Sequence, residues 1–219
     1  MRSVILGGLV AALVASTAAP ALGASPLAAS GSKPLTSAQL VDALLAPEDL
    51  GERYVRNPKR IREALETEYS HTRKCTKAIG ALKPLLRGKA LSVIDRNQTP
   101  SGLRQYALSG TPARLASWQG VGTAMVRDCA GMAYKTSKEK ASVKKLSVGK
   151  LGSWTYAIRY RSTATGLGGR ELIATDLVLT RVGNVVTLLV TDGFFGAFEP
   201  TLSRRAGKLA AAKLREAQD

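Results

Sequence analysis

The sequence has few of the residues on which most catalytic and metal sites depend. It contains one histidine, His71, and two cysteines, Cys75 and Cys129, in 219 residues. One histidine and two cysteines cannot supply the usual ligand set of a zinc site, and no Cys-x-x-Cys pair is present for redox chemistry. His71 stands beside Arg73 and Lys74 without a Gly-x-Ser-x-Gly motif, so we interpret it as an exposed loop residue rather than a general base. From these absences we predict that the protein is not an enzyme and has no catalytic residues, metal or cofactor.

Aromatic residues and long apolar runs are also scarce. Aromatic residues make up 5% of the chain and no DNA- or RNA-binding motif occurs, so nucleic acid is not expected as a partner. The apolar run at residues 4–14 follows a positively charged start and precedes small residues, which is the layout of a secretory signal peptide, and it is too short for a comfortable membrane span. We expect residues 1–24 to be removed on export, residues 25–34 to form a flexible tail, and residues 35–219 to form a single secreted, extracellular domain.

Export changes how the two cysteines are interpreted, because outside the cytoplasm an even, minimal pair favours a disulfide. Thr111 and Pro112 predict a helix start, and Cys129 lies on the apolar stripe of that helix. A second predicted helix starts near Thr72, is stopped or kinked at Pro84, and carries Cys75 on its stripe. The two stripes consist of Leu115, Trp118, Gly122, Met125 and Cys129, and of Cys75, Ile79 and Leu82. We therefore predict a disulfide between two buried helix faces.

Period-two alternation predicts the central sheet. One strand alternates Trp154, Tyr156, Ile158 and Tyr160, expected to face the helices, with Thr155, Ala157, Arg159 and Arg161, expected to be solvated. Two further runs, residues 172–182 and 185–191, meet across Gly183 and Asn184, a dipeptide suited to a tight hairpin turn. The turn sets the register and predicts a half-buried antiparallel meander. The predicted cross-strand pairs are Leu179 with Leu188, Leu177 with Val190, Thr180 with Thr187, and Asp176 with Thr191.

Helical signals mark both ends of the domain. Thr36 and Gln39 form a capping box that starts a first helix, and residues 47–50 add a turn. Residues 57–65 fit either a second helix or a loop. The amphipathic pattern at residues 202–214 predicts a C-terminal helix docked on the sheet.

Three shorter patterns need a choice of interpretation. The segment Gly120-Val-Gly122 matches half of a dinucleotide-binding fingerprint, but it lies within a helical stripe, so we interpret it as close helix packing. Residues 103–109 alternate weakly and are a candidate strand. Residues 133–150 are rich in lysine and are interpreted as a loop followed by an edge strand near residues 141–148, where lysines discourage association between sheet edges.

The layout resembles a known family. The motifs that carry the resemblance are Leu35-Thr-Ser-Ala-Gln-Leu-Val-Asp-Ala-Leu-Leu with Asp49-Leu50-Gly51, the spaced Cys75 and Cys129, Leu151-Gly-Ser-Trp-Thr-Tyr-Ala-Ile-Arg, and Leu177-Val-Leu-Thr-Arg-Val-Gly-Asn-Val-Val. They are similar to the extracellular sensor domains of mycobacterial PknH-type Ser/Thr kinases and their free-standing secreted and lipoprotein relatives. The resemblance implies an α+β fold with helices packed on one face of a twisted antiparallel sheet, a cleft for a ligand, and no catalytic activity. Those sensors have two disulfides where one is expected here, and without a kinase or transmembrane segment any sensing role needs a separate partner.

Charge is the most unusual property of the chain. The formal net charge is +16, and seven basic residues balance seven acidic ones up to Tyr69, so the excess belongs to the residues that follow. Two functions compete: association of a basic face with anionic polymers or lipids of the cell envelope and wall, or recognition of a small ligand or protein partner in a cleft, with charge serving only solubility. An enzyme with an unfamiliar site is a third alternative. The candidate residues are Lys135, Lys138, Lys140, Lys144 and Lys145 for the basic face, and Trp154, Tyr160, Arg159 and Arg161 for the cleft, with both arginines outward or at its mouth.

Overall fold

One antiparallel sheet of eight strands organises the computed structural model, which describes residues 33–57, 72–88, 90–165 and 169–219. The strands are β1 (Tyr54–Arg56), β2 (Ala90–Arg96), β3 (Ser101–Ser109), β4 (Ala133–Lys135), β5 (Glu139–Lys145), β6 (Trp154–Ala164), β7 (Glu171–Val182) and β8 (Val185–Phe194). Their order across the sheet is β1-β2-β3-β8-β7-β6-β5-β4, and all neighbours are antiparallel. The sheet therefore consists of two meanders, β1 to β3 and β4 to β8, which join where β3 pairs with β8.

Helices cover both faces of this sheet. The helices are α1 (Ser37–Asp42), α2 (Pro47–Leu50), α3 (Arg73–Gly80), α4 (Lys83–Leu86), α5 (Pro112–Cys129) and α6 (Leu202–Glu216). We call the side that bears Ile158, Leu177 and Leu188 the disulfide face, and α3, α4 and α5 contribute to its apolar cluster. We call the side that bears Val178 and Leu189 the α6 face, and α1, α2 and α6 contribute to its cluster. No described helix is both long and apolar enough to cross a membrane.

The disulfide face is built as the cysteine pattern predicts. The side chain of Thr111 accepts a hydrogen bond from the backbone of Arg114 and caps α5, whose stripe from Leu115 to Cys129 is buried. Thr72 caps α3 in the same way, through the backbone N–H of Cys75. Cys75 and Cys129 are completely buried and form the predicted disulfide, with their Cα atoms 4.8 Å apart. Pro84 does not interrupt α3, which ends at Gly80, and lies instead in the first turn of α4.

The α6 face corrects one expectation of the sequence. The α+β class, the antiparallel sheet and the single disulfide are confirmed, but the helices do not lie on one face and the meander is not half-buried. Ala157, Val178 and Leu189 pack in a cluster with α1 and α6. The polar positions of this face are buried because they bond to one another or to the backbone: the Thr180 hydroxyl, for example, donates to the Trp154 carbonyl oxygen at 2.7 Å. Alternation identified these polar positions but not their internal partners.

The other local predictions are mostly confirmed. All four predicted cross-strand pairs of the β7–β8 hairpin are present, and Gly183 at its turn has a φ angle of 55°. Ile158 and Tyr160 belong to the cluster of the disulfide face, and Trp154 and Tyr156 pack against it. The capping box at Thr36 is formed, β3 includes the predicted residues 103–109, and α6 buries its apolar stripe in the cluster of the α6 face.

The lysine-rich segment folds differently from the prediction. Its strand is β5, which ends at Lys145, and β4 lies outside it, so β5 is not the edge of the sheet. Strands β1, β2 and β4 were not predicted. Two of them have only three residues, too few to show periodicity, and β2 has consecutive buried residues from Ser92 to Ile94 instead of an alternation. The predicted signal peptide, most of the predicted tail, His71, and nearly all of the helix or loop at residues 57–65 lie outside the described residues.

Candidate functional site

One end of the sheet brings together three connections that are distant in sequence. Because consecutive strands of the C-terminal meander run antiparallel, the β4–β5 turn, the β6–β7 connection and the segment after β8 all lie at this end. Backbone hydrogen bonds join them. The N–H of Thr165 donates to the carbonyl oxygen of Lys138 at 2.8 Å, and the N–H of Phe195 donates to that of Leu172 at 2.9 Å. The described parts of these segments therefore form one rim of the sheet.

Five exposed cations occupy this rim, and we call them the basic end: Lys135, Lys138, Lys140, Arg161 and Arg170. Lys135 on β4 and Lys140 on β5 are direct cross-strand partners, and Thr163 on β6 is the partner of Lys140 on its other side. Like charges directly opposite each other on neighbouring strands repel. This pair therefore destabilises the sheet edge slightly when no anion is near, and an anion that contacts both ammonium groups would remove that repulsion.

The carboxylates near the basic end neutralise little of its charge. Glu171 lies 3.6 Å from Arg161 in a partly exposed ion pair. Glu139 is directed to the disulfide face, where it accepts hydrogen bonds from the hydroxyls of Ser162 and Tyr160. Within the described parts of the chain, no carboxylate lies within 4.0 Å of the charged groups of Lys135, Lys138, Lys140 or Arg170. Most of the positive charge of the rim thus faces solvent.

An exposed aromatic ring lies at the same end. The N–H of Ala197 donates to the carbonyl oxygen of Phe194 and closes a turn, in which Phe195 and Gly196 have φ angles of 53° and 84°. The Phe195 side chain is 62% exposed, and the guanidinium carbon of Arg170 lies 5.9 Å from its ring centroid. Phe198, by contrast, is buried, with Arg159 and Arg161 over its ring. The basic end therefore combines uncompensated cations with one solvent-exposed ring.

The structure brings together only part of the lysine cluster that the sequence suggested. Lys135, Lys138 and Lys140 belong to the basic end. Lys144 lies four residues beyond Lys140 on β5, about 13 Å away at 3.3 Å per residue, and pairs with Arg159. Lys145 pairs with Ile158 and lies on the disulfide face. Closeness in sequence does not give one surface here because successive strand residues alternate between the two faces.

The four cleft candidates do not share a cleft. Trp154 and Tyr160 lie on the disulfide face, whereas Arg159 and Arg161 lie on the α6 face. Tyr160 is only 3% exposed, and its burial, with hydrogen bonding to Tyr134, raises the pKa of its hydroxyl. Of the two arginines only Arg161 is exposed. Arg159 is turned inward, because it donates two hydrogen bonds to the buried Asp176.

A groove that the sequence did not suggest runs between α3 and α5. Its volume is about 610 Å³, and small residues line it, including Ala78, Ala81 and Ala124. Lys74, Lys77, Arg127 and Asp128 also line it. Hydrogen bonds from Arg127 lower the pKa of the Asp128 carboxyl group. The signal in the sequence was the run of small residues on the helix faces flanking the cysteine stripes. Within the described ranges, no three His, Cys, Asp or Glu side chains are grouped to hold a metal ion.

Comparison with known proteins agrees with this fold. No protein-family model and no curated protein matches the sequence. Among solved structures, the chain is similar to the extracellular domain of PknH from Mycobacterium tuberculosis, with a TM-score of 0.50 and 16% sequence identity over 85% of this chain and 98% of that one. The resemblance inferred from the motifs is thus confirmed as a resemblance of fold.

Proposed function

We propose that the protein is an exported, non-catalytic binding domain that associates with anionic material of the cell envelope through its basic end. The observation that carries the proposal is the gathering of five exposed cations from the β4–β5 and β6–β7 hairpins on one rim, with few carboxylates to neutralise them. Two further facts support it. The start of the sequence has the layout of a secretory signal peptide, and the fold is similar to that of an extracellular domain.

The expected strength of this association follows from the charge. A lysine or arginine near an anionic surface contributes about 1 kcal/mol. The four cations of the basic end without a close carboxylate then contribute about 4 kcal/mol, which corresponds to a dissociation constant near 1 mM for a single contact. Binding of this kind is weak and steeply dependent on salt, because the Debye length falls from about 10 Å at 0.1 M salt to about 3 Å at 1 M.

Two triple variants with the same change in net charge test the proposal. The first changes Lys135, Lys138 and Lys140 to Gln, and the control changes Lys144, Lys145 and Lys150, which are also exposed. Retention on a dextran sulfate resin at 0.1 M salt should fall markedly for the first variant and little for the control. Both should keep the melting temperature of the wild type. Equal losses in the two variants, or retention that persists at 1 M salt, would contradict the proposal.

The groove between α3 and α5 favours a second candidate function, recognition of a small anionic ligand. Its apolar lining and the exposed cations Lys74 and Lys77 suit a molecule with one acidic group, while Arg127 is already paired with Asp128. Filling the groove with Ala124→Leu would then abolish binding that the triple variant at the basic end leaves intact. Such binding would also resist salt, since part of the ligand would be buried in an apolar environment.

A further inference from the structure

We propose that Phe195 inserts into the interfacial region of an anionic lipid bilayer, so that the anionic material contacted by the basic end is a membrane surface. This inference rests on the proposed function and names its partner. It is carried by three observations at one end of the sheet: a strained backbone, an exposed aromatic ring, and a rim of uncompensated cations, of which Arg170 lies beside that ring.

The backbone at Phe195 is unfavourable for the residue that occupies it. A φ angle of 53° lies in the left-handed region, which glycine and asparagine adopt readily and bulky side chains avoid. The turn with Gly196 needs this conformation at both residues, so stability alone would favour glycine or asparagine at position 195. Burial in the core does not offset the strain, because Phe195 is 62% exposed. A role outside the folded core accounts for both features.

The surroundings of the ring match the chemistry of a bilayer surface. Among the described residues, the large exposed hydrophobic side chains are Val41, Val55 and Phe195, and Phe195 is the most exposed of them. The guanidinium of Arg170 lies beside its ring. The β4–β5 turn, which carries lysines of the basic end, is joined to the same rim by the hydrogen bond from the N–H of Thr165 to the carbonyl oxygen of Lys138. At a membrane, aromatic rings settle at the level of the head groups while nearby cations contact lipid phosphates. A soluble polyanion would satisfy the cations but leave the ring in water.

Two binding measurements separate this inference from the proposed function. Wild-type protein and the variant Phe195→Asn are tested for sedimentation with vesicles of phosphatidylglycerol and phosphatidylcholine, and for retention on dextran sulfate. Asparagine tolerates the positive φ angle, so the turn should be kept. We expect about a tenfold weaker affinity of the variant for the vesicles and unchanged retention on dextran sulfate. The control variant Val41→Asn, which removes an exposed apolar side chain on α1, should change neither.

A fluorescence measurement reports insertion directly. In Phe195→Trp, made with Trp118 and Trp154 replaced by Phe, the emission should shift to the blue on addition of vesicles and be quenched by brominated lipid. Val41→Trp in the same background should show neither change. Equal vesicle binding by wild type and Phe195→Asn would overturn the inference, as would a wild type that binds dextran sulfate but no vesicles, which leaves the proposed function standing. Failure to bind either at low salt would overturn both.

Discussion

Arg159 and Asp176 face each other across β6 and β7, and two hydrogen bonds of 2.6 and 2.7 Å join the guanidinium to a completely buried carboxylate. The same carboxylate accepts a hydrogen bond from Ser203 in the first turn of α6. Arg159 also donates to the carbonyl oxygen of Pro200, just before that helix. The pair therefore links the sheet to the start of α6, and the hydrogen bond to Asp176 raises the pKa of Arg159.

Breaking this pair should destabilise the protein strongly. Asp176→Ala leaves a guanidinium that is only 19% exposed without its anion, so we expect the free energy of unfolding to fall by about 3 kcal/mol in urea titrations. Arg159→Asp would be tolerated if Arg159 faced solvent. In this structure the substitution places a second carboxylate against Asp176 and should prevent folding. Arg161→Gln is the control. Its pair with Glu171 is more exposed, and we expect a loss below about 1 kcal/mol.

Two glycines on different faces of α5, the exposed Gly120 and the buried Gly122, should respond in opposite ways to alanine. A Cβ atom at Gly122 would lie 2.3 Å from Cδ2 of Tyr156, so Gly122→Ala must displace the ring or the helix and should cost about 1–3 kcal/mol. A Cβ atom at Gly120 meets no atom within 4 Å, so Gly120→Ala should stabilise the helix by about 0.8 kcal/mol. Thermal unfolding of the two variants measures the difference. Equal effects would show that Tyr156 does not pack against the helix as described.

Removal of the disulfide should cost about 4 kcal/mol. The bridge joins residues 54 positions apart, and on the chain-entropy model a cross-link over a loop of that size restricts the unfolded chain by about this amount. The double variant Cys75→Ala, Cys129→Ala should therefore unfold at a lower urea concentration than the oxidised wild type. The reduced wild type serves as the reference that retains both sulfur atoms. A double variant as stable as the oxidised protein would contradict this prediction.

Stability should decline in alkaline solution. Burial is the first cause that raises the pKa of Tyr54, Tyr106 and Tyr160 above the ordinary value of 10.0. A group with a higher pKa in the folded state holds its proton more tightly there, so its contribution is complete below pH 10 and is lost as the pH rises above 10. Each such tyrosine contributes a slope of up to about 1.4 kcal/mol per pH unit.

Urea titrations between pH 8 and pH 11 test the alkaline decline. The free energy of unfolding of the wild type should stay level to about pH 10 and then fall. Tyr160→Phe should show a shallower fall than the wild type, whatever its stability at pH 8. A constant free energy up to pH 11 would show that these hydroxyls ionise as easily in the folded protein as in the unfolded chain.

Sequence reasoning succeeded where a structure is set by neighbouring residues. The caps at Thr36 and Thr111 located helix starts, and the turn at Gly183 determined the register of the β7–β8 hairpin. It failed where the outcome depends on distant partners. The alternation of residues predicted that Asp176 and Thr180 face solvent. Both are buried, and each has an internal hydrogen-bond partner, Arg159 for Asp176 and the Trp154 carbonyl oxygen for Thr180.

The candidate site was predicted only in part for the same reason. Alternation within β5 already separates Lys140 and Lys144 from Lys145, so the position of Lys145 on the other face could have been read from the sequence. The placement of Arg161 and Arg170 at the same end of the sheet as the lysines depends on the pairing of β5, β6 and β7, and no local pattern contains it. The strain at Phe195 appears only when the backbone is known.

The pairing of β3 with β8 has a consequence for the order of folding. The strands from β4 to β8 are neighbours in sequence as well as in space, so this half of the sheet is able to form through short, rapid hairpin closures. Pairing of β3 with β8 brings Ser109 next to Val185, and the loop that this closes contains most of that half of the sheet. Closing so long a loop is entropically costly. A disulfide formed early between Cys75 and Cys129 does not shorten this closure but holds α3 and α5 together. We thus expect the rate-limiting step of folding to be the docking of the two meanders along β3 and β8, with substitutions at this junction slowing folding more than those in the β7–β8 hairpin.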